Sequence, residues 1–412
     1  MKSIGQQSEL VNAAAFDPHK FEVGHSDPRL AECLKKFPSA TFSERLYQSI
    51  ELMERYSIEL AVDLLGRLNV MEQLGTWRSA DELCRVLCFQ PRFRLAVQWI
   101  LSRLVDTGCV EAQVDGKSCV YRLCQTLWQP DAKSLRTLGL DIDPANAATL
   151  DLLDYAAGLY PSVATGREIG DHNLFGPQAI PLWLNYFHND NLTYAVNNWV
   201  GGAVAVDRLS ARRTLKILEL GAGTGSATEI LLKLLDQRGL LPRVERYLIT
   251  EPNPYFRRCN QRKLAAQHPN LHLNWATLDI DLPWSAQGIV RGEFDLVYGV
   301  NVMHISRNLL FSLNEARSAL ATDGWLVIGE CLRPYDNQPI YPELMFQILD
   351  SFSNVETDSE VRPNPGFLTA EQWRRAFSRA GFGHAEVAPD VGRIREIYQH
   401  FFTGGIYGQK SA

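Results

Sequence analysis

The stretch Leu215-Lys-Ile-Leu-Glu-Leu-Gly-Ala-Gly-Thr-Gly-Ser226 joins an apolar run to a glycine-rich turn. The run has the length and composition of a buried strand, and the helical pattern that follows it ends near Gly239. Ser226 and Glu229 have the spacing of a capping box at the start of that helix. A strand, a glycine turn and a helix in this order are typical of a nucleoside-binding unit in a doubly wound sheet.

The acidic residue beside the turn indicates which ligand it suits. The spacing is G-x-G-x-G, with Ser226 where the dinucleotide fingerprint has its last glycine, and Glu219 lies two residues before the first glycine. A carboxylate there would repel a pyrophosphate, whereas it would attract a cationic ligand. S-adenosylmethionine carries an ammonium group near its sulfonium, so the turn favours this cofactor.

Two further acids follow the next apolar runs. The second strand, Arg246-Tyr-Leu-Ile-Thr-Glu251, ends in Glu251, where a doubly wound fold has its acceptor for ribose hydroxyls. The third, Leu271-His-Leu-Asn-Trp275, leads to Leu278-Asp-Ile280, in which Asp279 would accept from an adenine amino group. Three acids at successive strand ends behind one glycine turn favour nucleoside binding over three unrelated surface residues.

A histidine and a glutamate follow the next two strands. Phe294-Asp-Leu-Val-Tyr298 leads to Asn301 and His304, and Trp325-Leu-Val-Ile-Gly-Glu330 brings Glu330 to the same edge. His304 is either a core histidine or a base, and Glu330 is either a solvated strand end or its partner. A glutamate bonded to one ring nitrogen would fix the tautomer and raise the basicity of the other nitrogen. Asn301 would lie beside the cofactor or a substrate carbonyl, or serve only the turn.

The sequence before the glycine motif has a different texture. From Phe42 onward apolar residues recur at steps of three and four, which predicts buried helices. Ser79 and Glu82 have capping-box spacing, and two helical segments are followed by two strand-like runs joined at Asp115-Gly116. This is the element order of a winged helix. Acids are interspersed with its arginines and leave no basic stripe, so we favour a packing or dimerisation module over DNA binding.

Composition limits the class of protein. The chain has 412 residues, more than one core normally holds, which predicts two domains or one with a substantial extension. A net charge of −6 argues against nucleic acid or an anionic membrane as the main partner. No apolar run has the length of a membrane span and the start lacks a secretory signal, so we expect a cytoplasmic protein. The 8 cysteines lack nearby partner ligands, and we expect no metal.

The motifs ILELGAGTG (217–225), Glu251, LDI (278–280) and FDLVYGVNVMH (294–304) resemble those of class I S-adenosylmethionine-dependent methyltransferases. The chain is most similar to the methyltransferase domains of polyketide synthases, from about residue 150 through NLFGPQAIPLWLNYF and GFLTAEQW to about residue 383. The N-terminal part resembles the winged-helix dimerisation domain of small-molecule O-methyltransferases. The likeness to the polyketide methyltransferases implies that His304 and Glu330 form a catalytic dyad for carbon methylation.

The expected fold is α/β: a Rossmann-like doubly wound sheet with a mainly helical, winged-helix-like N-terminal domain and a helical lid. We expect an arm over residues 1–40, the winged-helix-like domain over 41–144, a lid or linker over 145–212 and the cofactor domain over 213–412. The predicted contacts of S-adenosylmethionine are Glu219, Gly221, Ala222, Gly223, Gly225, Glu251, Pro252, Asp279, Ile280 and Asn301. Trp183, Tyr186 and Phe187 would either pack in a core or line the lid against cofactor or substrate.

The predicted activity is methylation of a small natural-product-type intermediate, free or tethered to a carrier protein, at carbon or oxygen. The sequence leaves that choice of atom open, because both reactions need the same base. One alternative is an enzyme that consumes S-adenosylmethionine without methylating a second molecule. Another is a winged-helix regulator that senses the cofactor. A homodimer would be compatible with the N-terminal pattern.

Overall fold

The computed structural model describes residues 27–115, 118–209, 214–269 and 271–411. Within them the chain forms two compact units. The first consists of Gln48–Trp183 together with Asn337–Ser353, and the second of residues 27–47, 184–336 and 354–411. The segment 337–353 thus packs with the helices that precede the glycine motif. Most of the predicted arm lies outside the described residues, and the domain boundaries drawn from the sequence remain a prediction.

The described chain up to residue 209 is mainly helical. Apolar residues spaced by three or four bring one stripe of each helix into a core; Ile50, Met53, Leu60 and Leu64 of the longest helix are all buried. The helices are α1 (Ala31–Leu34), α2 (Glu44–Arg67), α3 (Ala80–Val86), α4 (Arg94–Val105), α5 (Ala132–Ile142), α6 (Ala147–Ala164), α7 (Gly170–Leu174), α8 (Ile180–Tyr186) and α9 (Leu192–Leu209).

Three short strands accompany α3 and α4 in the first unit. They are β1 (Arg78–Ser79), β2 (Val110–Asp115) and β3 (Ser118–Leu123), and they form an antiparallel sheet in the order β1-β3-β2. The helix, helix and hairpin order expected of a winged-helix-like region is confirmed. The predicted turn residue Gly116 lies outside the described residues.

A buried ion pair holds the segment 337–353 in the first unit. Arg103 on α4 pairs with Glu54 on α2, and both side chains are almost fully buried. Arg103 also donates to the Pro339 carbonyl at 3.0 Å, and the Tyr341 amide donates to Glu54 at 3.1 Å. Removing one member of such a pair would leave an uncompensated buried charge, so the pair ties this segment firmly to α2 and α4.

The second unit contains a seven-stranded sheet with helices between its strands. The strand order is β6-β5-β4-β7-β8-β10-β9; β4 to β8 are parallel, and β10 runs antiparallel to both of its neighbours. The strands are β4 (Leu215–Leu220), β5 (Val244–Thr250), β6 (Leu273–Ala276), β7 (Phe294–Val300), β8 (Leu320–Cys331), β9 (Gly383–Ala388) and β10 (Thr403–Gln409). The helices are α10 (Ser226–Gln237), α11 (Pro254–Gln267), α12 (Leu309–Ala319), α13 (Glu343–Phe346), α14 (Asp350–Ser353), α15 (Ala370–Arg379) and α16 (Val391–Arg395), of which α13 and α14 belong to the first unit.

The sheet order fixes where a ligand can bind. The strand order reverses at β4, which has β5 on one side and β7 on the other. Ligands of doubly wound sheets bind beyond the carboxyl ends of the strands at this switch point. The ends of β4, β5, β7 and β8 share that edge. Glu219 and Glu330 lie near the ends of β4 and β8, and the other strand-end residues singled out above follow β5, β6 or β7. The predicted Rossmann-like fold is confirmed.

The two capping boxes predicted from the sequence have different outcomes. At α3 the Ser79 amide donates to Glu82 at 2.8 Å and the Glu82 amide donates to the Ser79 hydroxyl at 3.2 Å, so this box is confirmed. The box at α10 is wrong, because Ser226 is already helical and Gly225 is the cap, with φ of 88°. Glu229 instead pairs with Lys263 at 2.8 Å.

Among the described residues, no helix combines the length and apolar character that crossing a membrane requires. The same part of the chain has no cluster of three or more histidine, cysteine or acidic side chains arranged to hold a metal ion.

Candidate active site

The glycine-rich turn between β4 and α10 has a backbone that side chains would disturb. Gly221, Gly223 and Gly225 all have positive φ, at 55°, 53° and 88°. A Cβ at Gly221 would lie 2.5 Å from Val302 Cγ2, and one at Gly225 would lie 2.5 Å from the Asn260 side-chain oxygen. At Gly223 no atom would lie within 4 Å. The outer glycines therefore allow close packing, and the middle one borders open space.

Glu251 joins this turn to the end of β5. The Ala222 amide donates to the Thr250 carbonyl at 2.9 Å. The Glu251 carboxylate accepts from the Gly223 amide at 2.8 Å and from the Asn253 amide at 2.7 Å. Burial raises the pKa of Glu251, and these two backbone donors oppose the rise. The structure thus brings Glu251 to the glycine turn, while its neighbour Pro252 is exposed.

Glu219 lies two residues before Gly221 and is only 1% exposed. Its carboxylate accepts from the Thr228 hydroxyl at 2.9 Å and from the Tyr247 hydroxyl at 2.6 Å. Burial raises the pKa of Glu219 to about 7, against the lowering effect of both hydroxyls. The carboxylate is therefore engaged between α10 and β5, and its attraction for a cationic ligand remains a prediction.

Asp279 and Ile280 lie in a loop after β6 that its own hydrogen bonds hold. The Asp279 side chain accepts from the Asp281 amide at 2.9 Å, and the Asp279 amide donates to the Gln287 side chain at 2.8 Å. The Ile280 carbonyl accepts from the Ser312 hydroxyl at 2.8 Å. The loop keeps Asp279 exposed at the side of the sheet where β5 ends.

These residues fit S-adenosylmethionine better than a dinucleotide. Glu251 and Asp279 supply acceptors for hydroxyl and amino groups, and the open space at Gly223 leaves room beside the turn. The acids Glu251 and Asp279 disfavour a pyrophosphate, whereas the hydroxyl and amino groups of a nucleoside suit them.

His304 and Glu330 meet at the next two strand ends. In the parallel register of β7 and β8, Val300 lies opposite Gly329, so the chain leaving β7 passes beside Glu330. His304 Nδ1 is 2.7 Å from one Glu330 carboxylate oxygen. The other oxygen accepts from the Val302 amide at 3.1 Å and from the next amide along the chain at 2.9 Å. Both side chains are buried, and the two predicted neighbours form a hydrogen-bonded pair.

Asn301 turns the chain from β7 toward His304. Its φ is 53°, a left-handed conformation that asparagine tolerates better than most residues. Its amide donates to the Gly329 carbonyl at 2.8 Å, and its side-chain oxygen accepts from the Cys331 amide at 3.3 Å. The side chain therefore serves the turn, and the predicted cofactor contact of Asn301 remains a prediction.

Two residues complete the surroundings of His304. The buried guanidinium of Arg362 donates to the His304 carbonyl and, at 2.6 Å, to the Ser306 carbonyl. The Phe367 ring packs on the imidazole with centroids 4.4 Å apart. Sequence reasoning missed Arg362, because it follows no strand and belongs to no helical period.

The three predicted lid aromatics have different surroundings. Trp183 is buried in the first unit, where its indole donates to the Leu174 carbonyl at 2.5 Å. Tyr186 and Phe187 belong to the second unit, and the Phe187 carbonyl accepts from the Thr224 hydroxyl of the glycine turn at 3.4 Å. The structure therefore brings Phe187 to the turn, while Trp183 is a core residue.

Comparison with known sequences concerns the type of domain. Residues 218–326 match the model of a methyltransferase domain. A highly reducing polyketide synthase of Pyrenophora dematioidea is 31% identical over 176 residues, which cover 43% of this chain and 7% of that protein. An iterative polyketide synthase of Emericella nidulans is 27% identical over 374 residues, covering 84% of this chain and 13% of that protein. The chain thus spans a small part of the length of these relatives.

Comparison with solved structures concerns the fold. The CurJ carbon methyltransferase matches with a TM-score of 0.74 and 24% identity, covering 93% of this chain and 97% of that one. The DszA carbon methyltransferase matches with a TM-score of 0.73 and 22% identity, covering 95% and 98%.

The fold, the glycine turn and the match over residues 218–326 define the class: this part of the chain is a methyltransferase domain with the class I fold, whose cofactor is S-adenosylmethionine. The relatives that it matches within that class are polyketide synthases.

Proposed function

We propose that the chain transfers a methyl group from S-adenosylmethionine to the carbon between the two carbonyls of a 3-oxoacyl thioester tethered to a carrier protein. The hydrogen-bonded pair of His304 and Glu330 at the ligand-binding edge of the sheet carries this proposal. The polyketide synthases among its relatives support the substrate class, and the solved carbon methyltransferases support the choice of carbon.

The chemistry requires a base. A carbon between two carbonyls becomes a nucleophile only after it loses a proton, and a positioned histidine typically contributes about 10² to 10⁴-fold to such a step. With Nδ1 of His304 hydrogen-bonded to Glu330, the proton is taken at Nε2. Glu330 would then stabilise the imidazolium, as the acid of a catalytic triad does.

Backbone hydrogen bonds prepare Glu330 for this role. Its second oxygen accepts from the amides of Val302 and Met303, so the carboxylate cannot rotate away from His304 without losing them. These amides belong to the turn that carries His304, and the pair is therefore fixed as one unit. Preorganisation of this kind removes the cost of arranging the base during the reaction.

The cofactor supplies an electrophilic methyl group when bound. The residues that would hold it are the glycine turn, Glu251 and Asp279. Two aromatic side chains near the turn, the buried Tyr186 and the half-buried Phe187, would exclude water from the reacting carbon. Exclusion of water protects the carbanion from reprotonation before it is methylated.

The test is His304→Ala, assayed with a 3-oxoacyl N-acetylcysteamine thioester and S-adenosylmethionine carrying a ¹³C methyl group. We expect kcat to fall at least about a hundredfold, while calorimetric affinity for S-adenosylhomocysteine changes by less than about threefold. His272→Ala is the matched control, because this histidine is exposed and lies outside the proposed site.

The position of the label decides the type of reaction. A ¹³C resonance typical of a methyl group on carbon supports the proposal, whereas a methoxy resonance would replace it by O-methylation. Release of methylthioadenosine without label transfer would make the chain a non-methylating enzyme. Unchanged turnover in folded His304→Ala would remove the base role.

A further inference from the structure

Arg362 is a buried cation with unusual partners. Its side chain is 1% exposed, and its guanidinium donates to the backbone carbonyls of His304 and Ser306 rather than to a carboxylate. Its Nε is buried and has no hydrogen-bond partner within the described part of the chain. Burying a charge in this way is costly unless nearby charges compensate it. The position therefore calls for a reason beyond packing.

A rigid turn presents the Arg362 side chain. The amide of Arg362 donates to the Asp358 carbonyl and the amide of Asp358 donates to the Arg362 carbonyl, both at 2.9 Å. The Asp358 side chain accepts from the amides of Glu360 and Val361 at 2.9 and 3.1 Å, and it pairs with Arg379 on α15 at 3.1 Å. These hydrogen bonds and the ion pair with α15 therefore fix the backbone from which the Arg362 guanidinium extends.

The compensating charge is the partner of His304. Burial lowers the pKa of Arg362 to about 10, while the negative charges of Glu330 and Asp281 oppose this fall and Arg333 adds to it. Arg362 consequently remains a cation at neutral pH. Glu330 therefore interacts with two groups. It forms a hydrogen bond with the His304 imidazole, and its negative charge acts on the Arg362 guanidinium.

We propose that Arg362 is a positioning residue for His304: its two hydrogen bonds fix the turn that carries the imidazole, and its positive charge opposes protonation of the ring before substrate arrives. This inference rests on the proposed base role of His304. In the second unit the charged groups that act on Arg362 are Glu330 from β8, Arg333 beyond it and Asp281 from the loop after β6, and Arg307 follows the turn with its amide donating to Asp281.

Two substitutions separate the hydrogen bonds from the charge. Arg362→Lys keeps the charge, but its single ammonium cannot reproduce the planar fork to two carbonyls. Arg362→Met keeps much of the volume and removes both. Arg379→Met is the matched control, because it removes a cation that anchors the same turn without contacting the chain around His304.

We expect Arg362→Lys to lower kcat by about tenfold with KM changed less than about threefold. It should not move the acid limb of the pH profile, which is the fall in kcat toward low pH. Arg362→Met should lower kcat further and move that limb to higher pH, since removing a nearby cation favours the protonated ring. Arg379→Met should leave the limb unchanged. The proteins are compared by kcat, KM and melting temperature with the N-acetylcysteamine thioester.

The effect of Arg362 on the ring can also be measured without turnover, by an NMR titration of protein labelled with ¹³C at histidine. The His304 signal is assigned from its absence in His304→Ala. If this signal moves in Arg362→Met but His304→Ala keeps its activity, the electrostatic inference holds and the base role fails. An unmoved titration and a kcat within about twofold of wild type in both Arg362 variants would overturn the inference. Should Arg362→Met not fold, the loss of kcat in Arg362→Lys decides, because a retained kcat there refutes the positioning role.

Discussion

Two buried glutamates at the same edge of the sheet, Glu219 near the end of β4 and Glu330 near the end of β8, are each 1% exposed but have different kinds of partners. Glu219 accepts from the hydroxyls of Thr228 and Tyr247, and burial raises its pKa to about 7. Glu330 accepts from backbone amides and the ring of His304.

The two carboxylates therefore differ in the donors around them and not in the depth of burial. Hydroxyls can turn and can accept as well as donate, so they tolerate a carboxyl that carries its proton. Backbone amides can only donate, and the turn after β7 fixes their direction, so they hold the Glu330 carboxylate in one orientation beside His304. One end of the site thus has an acid whose pKa burial raises to about 7, and the other has a carboxylate whose orientation backbone amides fix.

The largest effect is expected at Glu330. Glu330→Gln keeps an oxygen for the amides but removes the anion that would stabilise the imidazolium, so kcat should fall about a hundredfold or more with the melting temperature nearly unchanged. Glu330→Ala should also destabilise the fold by several kcal/mol, since each buried amide left unpaired costs about 1–3 kcal/mol. Steady-state rates and chemical denaturation measure the two effects. Full activity in Glu330→Gln would show that the two glutamates do not differ in function.

The next effect concerns pH. A carboxyl whose pKa is raised on folding binds its proton more tightly in the native state, so Glu219 lowers stability as the pH rises from about 4.5 to about 7. Over that window the change is on the order of 3 kcal/mol. Residue 219 stays neutral in Glu219→Gln, so the free energy of unfolding of this variant should rise relative to that of wild type between pH 5 and pH 8. Denaturant midpoints at both pH values test this, and parallel curves for the two proteins would contradict it.

The two ends of the site meet where Gly221 approaches Val302 of the His304 turn. Gly221→Ala places a Cβ 2.5 Å from Val302 Cγ2 in a left-handed backbone, which should destabilise by about 2 kcal/mol and weaken cofactor binding. Gly239→Ala is the control, because its φ of 65° imposes similar strain with no atom within 4 Å of the new Cβ. Calorimetry with S-adenosylhomocysteine measures the difference. Equal losses in both variants would mean that only backbone strain matters.

The smallest effect is expected at Thr228. Thr228→Val preserves shape and removes one donor to Glu219, which should cost about 1 kcal/mol. Because that donor lowers the pKa of Glu219, its loss should extend the pH window upward. Denaturation curves between pH 5 and pH 9 measure both changes, with the exposed Thr165→Val as control. A pH profile identical to that of wild type would show that Thr228 does not tune Glu219.

Much of the cofactor sheet could be predicted from the sequence, because buried parallel strands are short apolar runs. The expected strand ending at Glu251 is β5, the run before Asn301 is β7, and the run ending at Glu330 is β8. The neighbouring positions of His304 and Glu330 followed from the rule that parallel strands end at one edge.

Other features depended on packing that no local pattern carries. The spacing from Ser226 to Glu229 is that of a capping box, but the left-handed Gly225 takes the cap position and Lys263 engages Glu229. Arg362 lies 58 residues from His304 and reaches it only through the turn that begins at Asp358. The union of segment 337–353 with the first unit likewise depends on the buried pair of Arg103 and Glu54.

The sequence by itself determined the class of fold, the cofactor and the residues at the strand ends, since these follow from hydrophobic period and from glycine and acid spacing along the chain. Only the tertiary structure decided which partners each acid has. It placed hydroxyl groups around Glu219, and amide and imidazole groups around Glu330. It also brought the Arg362 guanidinium to the backbone carbonyls of His304 and Ser306. The physical reason is that ionisation and orientation depend on donors and charges within a few ångströms, and those come from residues distant in sequence.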